Sequence, residues 1–309
     1  MDILLDNDSS SRRRFLQQMA AMGAGALALG SPVSVLAKTG HSEPLQARVN
    51  AYVKGLRRKG RVRSDEQTSW SVYDLSTGTK LVSINEGVQR QAASMIKPFV
   101  AQAYFFRHQA APSRYPYSAE VERLITAMIR RSNNHATNEM IARVSSKAWS
   151  QRPKAVEQVL RQNADGIFRD TAIVEYIPKG GRTYRNKASA RDYSRFLYAM
   201  WHDQLPMSDE MEYFLGLPNA DRIRHGTARG PDNCKVLDKT GSTAHLCGNM
   251  GIVVARGRDG KTYPYTMIGI IEKQKRPKSY GPWIRDRGNV IREVSDIVYA
   301  DMRKRHNLL

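Results

Sequence analysis

The hydrophobic period of this chain changes along its length, and the order of those changes limits the folds open to it. Apolar residues Leu45, Val49, Tyr52 and Val53 recur at helical spacing over residues 44–58. Residues 70–73 and 80–84 then read as strands, joined by Ser76-Thr77-Gly78, a composition suited to a hairpin turn. From Ser94 the period becomes helical, with Met95, Phe99, Val100, Ala103 and Phe106 on one stripe. Further helices are expected at about 119–131, 135–146, 153–162 and 189–204, the last capped by Ser189. Residues 163–187, with Gly166, Pro178, Gly180 and Gly181, read as loop. The strand period returns at 234–239, 249–256 and 262–271, with Asp259-Gly260 turning the last two, and an amphipathic helix closes the chain. Strands at both ends with helices between them predict an α/β (α+β) fold. It would hold one antiparallel sheet flanked by helices, plus an all-helical lobe. The expected α/β lobe takes residues 38–90 and 220–309, and the helical lobe 91–219, leaving a cleft between them for a ligand.

The N-terminus reads as a targeting segment. Ser11-Arg12-Arg13-Arg14-Phe15-Leu16 supplies positive charge, a mildly apolar stretch runs to Gly30, and Val35-Leu36-Ala37 offers a small-residue cleavage site. A short amphipathic anchor helix fits less well, because the segment lacks polar periodicity. The arginine pair resembles a bacterial twin-arginine (Tat) signal. That resemblance implies a signal peptide over residues 1–37, the Tat export machinery as a partner and a periplasmic or secreted mature domain over 38–309. No run of about 18 uncharged apolar residues occurs, so no stable membrane span is expected.

The net charge is +20, from 49 Lys+Arg against 29 Asp+Glu. Such an excess favours polyanionic partners. Nucleic acid is not expected, because no helix-turn-helix, zinc-finger or RNA-binding aromatic signature accompanies the charge. Anionic envelope polymers suit an exported chain better, and a merely solvated basic surface is the plainer explanation. The two cysteines, Cys234 and Cys247, flank Lys239-Thr240-Gly241. Bridging them would put a hairpin turn in the middle of the strand expected there, so they are expected to stay unpaired. No histidine cluster suggests a metal, and no cofactor is implied.

Three short motifs carry the chemistry. In Ser94-Met95-Ile96-Lys97, a helix starting at Ser94 would put Lys97 one turn on and on the same face. A desolvated lysine has a depressed pKa and can activate an alcohol as a nucleophile. Alone the motif is weak, since Ser-x-x-Lys is expected roughly once by chance in a chain of this size. Ser132-Asn133-Asn134 follows a helix and offers a hydroxyl to relay a proton and an amide to orient a substrate. The bland alternative is a helix cap or turn. Lys239-Thr240-Gly241 lies in a strand, where a cation and hydroxyls could face an anionic group and the glycine could leave room for a substrate backbone. An edge strand guarded by a lysine is the alternative there.

Occurring together and in this order, the three motifs resemble those of class A β-lactamases and penicillin-binding proteins, the penicillin-recognising serine hydrolases. The contexts agree: Gln91-Ala92-Ala93-Ser94-Met95-Ile96-Lys97, Ile129-Arg130-Arg131-Ser132-Asn133-Asn134-His135-Ala136-Thr137-Asn138 and Leu237-Asp238-Lys239-Thr240-Gly241-Ser242. The resemblance covers roughly residues 45–305. It implies that Ser94 forms an acyl-enzyme, Lys97 acts as base and Ser132 passes a proton to the leaving nitrogen. It further implies that Asn134 holds the substrate amide, that Lys239, Thr240 and Ser242 face its carboxylate, and that Arg222 supports that carboxylate. The backbone N–H groups of Ser94 and Ser242 would form the oxyanion hole.

Two departures from the family pattern stand out. Ser94 and Ser132 are closer in sequence than in typical class A enzymes, which predicts a trimmed helical lobe and a wider cleft on that side. The loop stretch Asp170-Thr171-Ala172-Ile173-Val174-Glu175 places Asp170 near the family's deacylating glutamate and Val174 where an asparagine is usual. Aspartate is one methylene short of reaching the water it would have to hold. Glu175 fits the loop's scaffold. The expected function is thus hydrolysis of β-lactam or D-alanyl-D-alanine-type peptide amides of the peptidoglycan. A binding protein or sensor that acylates without efficient turnover is the main alternative, and an esterase of unrelated small substrates a third.

Overall fold

The structure, a computed structural model, describes residues 43–228 and 234–309. The export signal expected over residues 1–37 lies outside the described residues. After helix α1 (Leu45–Arg58), strands β1 (Glu66–Asp74) and β2 (Thr79–Ile84) form a hairpin, followed by the short β3 (Arg90–Gln91). A 3-10 turn (Ala93–Ile96) leads into α2 (Lys97–Ala110), then α3 (Ala119–Arg130), α4 (Asn134–Val144) and α5 (Arg152–Asn163). A loop runs to β4 (Lys187–Ala188), which precedes α6 (Ala190–Trp201) and α7 (Ser208–Leu215). Strands β5 (Lys235–Ser242), β6 (Leu246–Arg256) and β7 (Thr262–Lys273) and the long α8 (Tyr280–His306) complete the chain. The five long strands make one antiparallel sheet in the order β2-β1-β7-β6-β5.

The expected fold class is therefore the observed one. Most expected elements agree to within a few residues, but α7 and the two-stranded β3–β4 pair had no clear sequence signal. Strand β5 continues past Lys239 to Ser242, so the turn to β6 falls at 243–245. Cys234 lies just before β5, whereas Cys247 pairs across from Ser242 at its far end. Both cysteines are free.

Alternation along the strands sends side chains into two cores. Met267, Ile271, Cys247, Val253 and Ala255 face α1 and α8, where they meet Leu45, Val49, Ile291, Val294 and Val298. Ile268, Ile270, Met250 and Ile252 face the helices and share a core with Phe99, Phe105, Tyr193 and Phe196. The helical residues thus pack directly on one face of the sheet, giving three layers. Helices α6 and α7 belong to that contact, α6 lying against β1 and β7 and α7 against β5.

The core also fixes the start of α2. Phe99, two residues past Lys97, meets Phe168 at 4.8 Å, Phe196 at 5.1 Å and Tyr193 at 5.1 Å between ring centroids. Each such aromatic pair contributes about 0.5–1.5 kcal/mol beyond the area it buries. This cluster ties α2 both to α6 and to the loop residue Phe168.

Candidate active site

The cleft between the helices and the β5 edge has a volume of about 470 Å³. Ser94, Ser132, Asn134, Thr240 and Ser242 all line it. The three motifs, separated by up to 145 residues in sequence, are therefore brought together.

Ser94 sits in a 3-10 turn that begins at Ala93, and the α-helix expected to start at Ser94 starts instead at Lys97. In such a turn residues three apart eclipse one another, so Ser94 and Lys97 still share a face. Pro98 occupies the first turn of α2, where no backbone N–H is missed. Ala93 has φ +48°, a left-handed conformation that bends the chain sharply just before the serine.

Lys97 is completely buried. Its Nζ donates to the Ser132 carbonyl at 2.6 Å, to Ser132 Oγ at 3.2 Å and to Asn134 Oδ1 at 2.9 Å. All three partners are uncharged acceptors. Burial, with a smaller contribution from the nearby Lys239 cation, pushes the Lys97 pKa down to about 7. An ammonium uses all three bonds, whereas the neutral amine donates only two and presents a lone pair.

The connection between α3 and α4 makes this geometry. Helix α3 ends at Arg130, and Ser132 takes φ +55°, unusual for a residue with a side chain. Asn133 then caps α4, its Oδ1 accepting from the Ala136 amide at 2.9 Å. The capping role foreseen as the bland alternative thus belongs to Asn133. Its neighbours Ser132 and Asn134 are left to face the cleft.

The strand side is built differently. Lys239 is buried and donates to the Thr240 carbonyl at 3.0 Å. Burial lowers its pKa, but the Asp238 carboxylate opposes the shift and Arg222 adds to it. Asp238 is held in turn by Asn219 Nδ2 at 2.7 Å and Asn249 Nδ2 at 2.8 Å. Arg222 donates to the Gly241 carbonyl at 3.0 Å, the Gly248 carbonyl at 2.7 Å and Ser242 Oγ at 2.7 Å. It braces β5 and β6 from behind and does not line the cleft. Gly241 has a packing reason. A Cβ there would stand 2.9 Å from Met95 Cγ and 3.2 Å from Ala93 Cβ, so glycine lets β5 close on the serine-bearing turn.

Asp170, like Arg222 and Gly241, stands apart from the groups that line the cleft. Its amide donates to Asp192 Oδ2 at 2.8 Å and its carbonyl accepts from Gln89 at 2.9 Å, which fixes it beside α6. Glu175 is the loop's hub: its Oε1 accepts from Thr183 Oγ1 at 2.8 Å and from the amides of Tyr184 at 3.0 Å and Arg185 at 2.9 Å. Sequence reasoning missed the rest of the lining, including Arg182, Tyr184, Arg276 and Tyr280. The Gly180-Gly181 pair marked a loop, but nothing local showed that this loop would form a wall of the cleft. No group of His, Cys, Asp and Glu suited to a metal occurs among the described residues.

A sheet backed by helices, with a serine and a buried lysine between helix and strand edge, is the arrangement of the β-lactamase fold. The profile of the Beta-lactamase enzyme family matches residues 109–301, and the chain belongs to that family. The match contains Ser132, Asn134, Arg222 and the Lys239 strand, and begins after Lys97. Among solved structures the chain is similar to a β-lactamase from Desulfarculus baarsii DSM 2075, with 17% identity and a TM-score of 0.65 over 83% of this chain and 98% of that one. It is similar to a β-lactamase from Streptosporangium roseum, with 18% identity and a TM-score of 0.63 over 84% and 99%. A PBP-A mutant, seen as an acyl-enzyme complex with penicillin G, gives 18% identity and a TM-score of 0.63 over 84% and 96%. No curated protein matches the chain in sequence.

Proposed function

We propose that the chain is an exported serine hydrolase that cleaves β-lactam or D-alanyl-D-alanine-type amides through a Ser94 acyl-enzyme. The observation that carries this reading is Lys97, buried beneath the cleft with a pKa lowered to about 7 and bonded to Ser132 and Asn134. Neutral Lys97 takes the Ser94 proton as Oγ attacks the amide carbon. The backbone N–H groups of Ser94 and Ser242 bind the oxyanion. The Ser132 hydroxyl gives its proton to the departing nitrogen and is reprotonated from Lys97, the C–N bond breaks, and the acyl group stays on Ser94. Asn134 orients the substrate amide, and Thr240, Ser242 and the Lys239 charge receive its carboxylate.

A second reading, an acylating binder with slow release, is favoured by the cleft lining, which contains no Asp or Glu among the described residues. The Asp170 backbone is anchored beside α6, and among the described residues no side-chain carboxylate lines the cleft to activate the deacylating water. A time course of fluorescent penicillin labelling on purified protein, with Ser94→Ala as control, separates the readings. Transient label identifies a β-lactamase, persistent label a penicillin-binding protein, and D-alanine release from a pentapeptide a carboxypeptidase. No Ser94-dependent label, together with no cleavage of a chromogenic cephalosporin, overturns both. For export, Arg12→Lys with Arg13→Lys should retain the chain in the cytoplasm.

A further inference from the structure

The charge of the cleft is one-sided. Among the described residues fifteen line it, two of them arginines and none acidic, and Lys97 and Lys239 lie buried beneath. The arginines come from opposite walls: Arg182 from the loop before β4, and Arg276 from the connection between β7 and α8. Neither guanidinium enters an ion pair with another described residue. Unlike Arg185, which approaches Glu175 at 4.0 Å, and Arg222, which is spent on the sheet, these two cations have no ion-pair partner among the described residues.

The backbone that presents Arg182 is firmly held. Gly180 and Gly181 take φ +84° and +70°, and the Gly181 amide donates to the Pro178 carbonyl at 2.8 Å. On the other side Thr183, Tyr184 and Arg185 all donate to Glu175 Oε1. Tyr184 also meets His245 edge-on at 5.2 Å, joining this loop to the β5–β6 turn. A Cβ on Gly181 would come within 3.1 Å of Asn134 Nδ2, so the loop closes directly on the substrate-orienting amide. Arg182 is thus a free cation on a fixed frame beside the reacting groups. Both arginines are exposed, so water screens them in the empty cleft, and an entering anion gains a modest, salt-sensitive attraction from each.

We propose that this cleft selects substrates bearing a second acidic group, in addition to the carboxylate read by β5, and that Arg182 and Arg276 bind it. The inference rests on the Ser94 acyl-enzyme reading and names its substrate class: acidic acyl donors, such as peptides with a side-chain carboxylate near the scissile amide. Guanidinium and carboxylate match as paired donors and acceptors.

Benzylpenicillin and its α-carboxy analogue carbenicillin form a matched test, differing by one carboxylate on the acyl side chain. The ratio of their second-order rate constants for Ser94 acylation should favour carbenicillin by about 2- to 5-fold at low salt, the scale of an exposed ion pair. The doubly substituted Arg182→Gln, Arg276→Gln protein should bring that ratio close to unity, and raised salt should shrink it in the parent protein. Calorimetric binding of both compounds to the Ser94→Ala protein gives the same comparison without chemistry. Equal rates and equal binding, or a preference untouched by the arginine changes, overturn the inference. Failure of either penicillin to label Ser94 counts instead against the acyl-enzyme reading, and the binding comparison still decides the role of the arginines.

Discussion

The two walls of the cleft each bury a lysine, and they surround it differently. On the helical wall Lys97 is surrounded by uncharged acceptors, so burial alone dominates and leaves a group able to give up its proton near neutrality. On the strand wall Lys239 has the Asp238 carboxylate next to it, which works against desolvation and favours the charged form. Burial lowers both pKa values, to about 7 for Lys97 and about 8 for Lys239, and the carboxylate beside Lys239 opposes the shift there. Substitutions on the two walls should therefore differ in both size and kind.

Replacing the base is expected to cost most. Lys97→Ala should slow acylation by about 10³-fold, in the range of general-base removal. Lys97→Arg should not rescue it, because a guanidinium does not lose its proton. Lys239→Ala should cost about 10- to 100-fold, the scale of one hydrogen bond to a charged group, and Lys239→Arg should restore part of it. Rates of fluorescent penicillin labelling check both. Equal losses at the two lysines, or rescue by Lys97→Arg, would break the comparison.

The pH profile tests the same distinction with opposite signs. Lys97 must be neutral to act, so acylation should fall as pH drops through about 7. Lys239 must be charged, so acylation should fall again at high pH, at a limb below the ordinary lysine range because burial lowers its pKa. Asp238→Asn removes the influence that raises the Lys239 pKa, so the alkaline limb should move to lower pH. Lys239→Met removes the cation that helps depress Lys97, so the acid limb should move slightly upward, burial being the larger cause. Acylation rates measured from pH 5 to 10 would show whether the limbs move independently.

These walls were unequally legible in the sequence. Ser94, Lys97, Ser132 and Asn134 stand in short motifs whose spacing matches a helical turn or a helix connection, so local geometry nearly places them. Lys239 and Thr240 were readable as a strand, but the brace behind them was not. Asn219 and Asn249 reach Asp238 from 19 residues upstream and 11 downstream, and Arg222 closes on Gly248, contacts only the folded sheet creates. The loop wall was least legible. Asp170 was placed by likeness to other loops, yet its position follows from the buried Asp192 carboxylate, whose role needed the tertiary fold. Arg182 carries no local signal, because its place at the cleft depends on Gly181 packing against Asn134 in the folded chain.

That loop contact supplies the next largest effect. Gly181→Ala forces a left-handed φ on a residue with a Cβ and crowds Asn134 Nδ2 at 3.1 Å. The backbone penalty alone is about 1–2 kcal/mol, which urea unfolding should register. Because Asn134 Oδ1 is also a Lys97 partner, acylation should fall several-fold as well. By contrast Gly180→Ala has a similar φ but open space around its Cβ, so it should lose comparable stability and keep more of the rate. Equal kinetic losses in the two variants would mean that the Gly181–Asn134 contact does not couple the loop to the helical wall.

The smallest expected change is Glu175→Gln. An amide oxygen can still accept from Thr183, Tyr184 and Arg185, but it does so without charge, and charge-assisted bonds are roughly twice as strong as neutral ones. Stability should fall by about 1 kcal/mol or less, since Arg185 is largely exposed and its pairing at 4.0 Å contributes little. The informative readout is the carbenicillin-to-benzylpenicillin acylation ratio. Loosening the frame that holds Arg182 should lower that ratio while leaving both lysine limbs of the pH profile in place. Such a result would assign the loop to substrate selection and the two lysine walls to chemistry, whereas a shifted acid limb would mean that the loop also tunes Lys97.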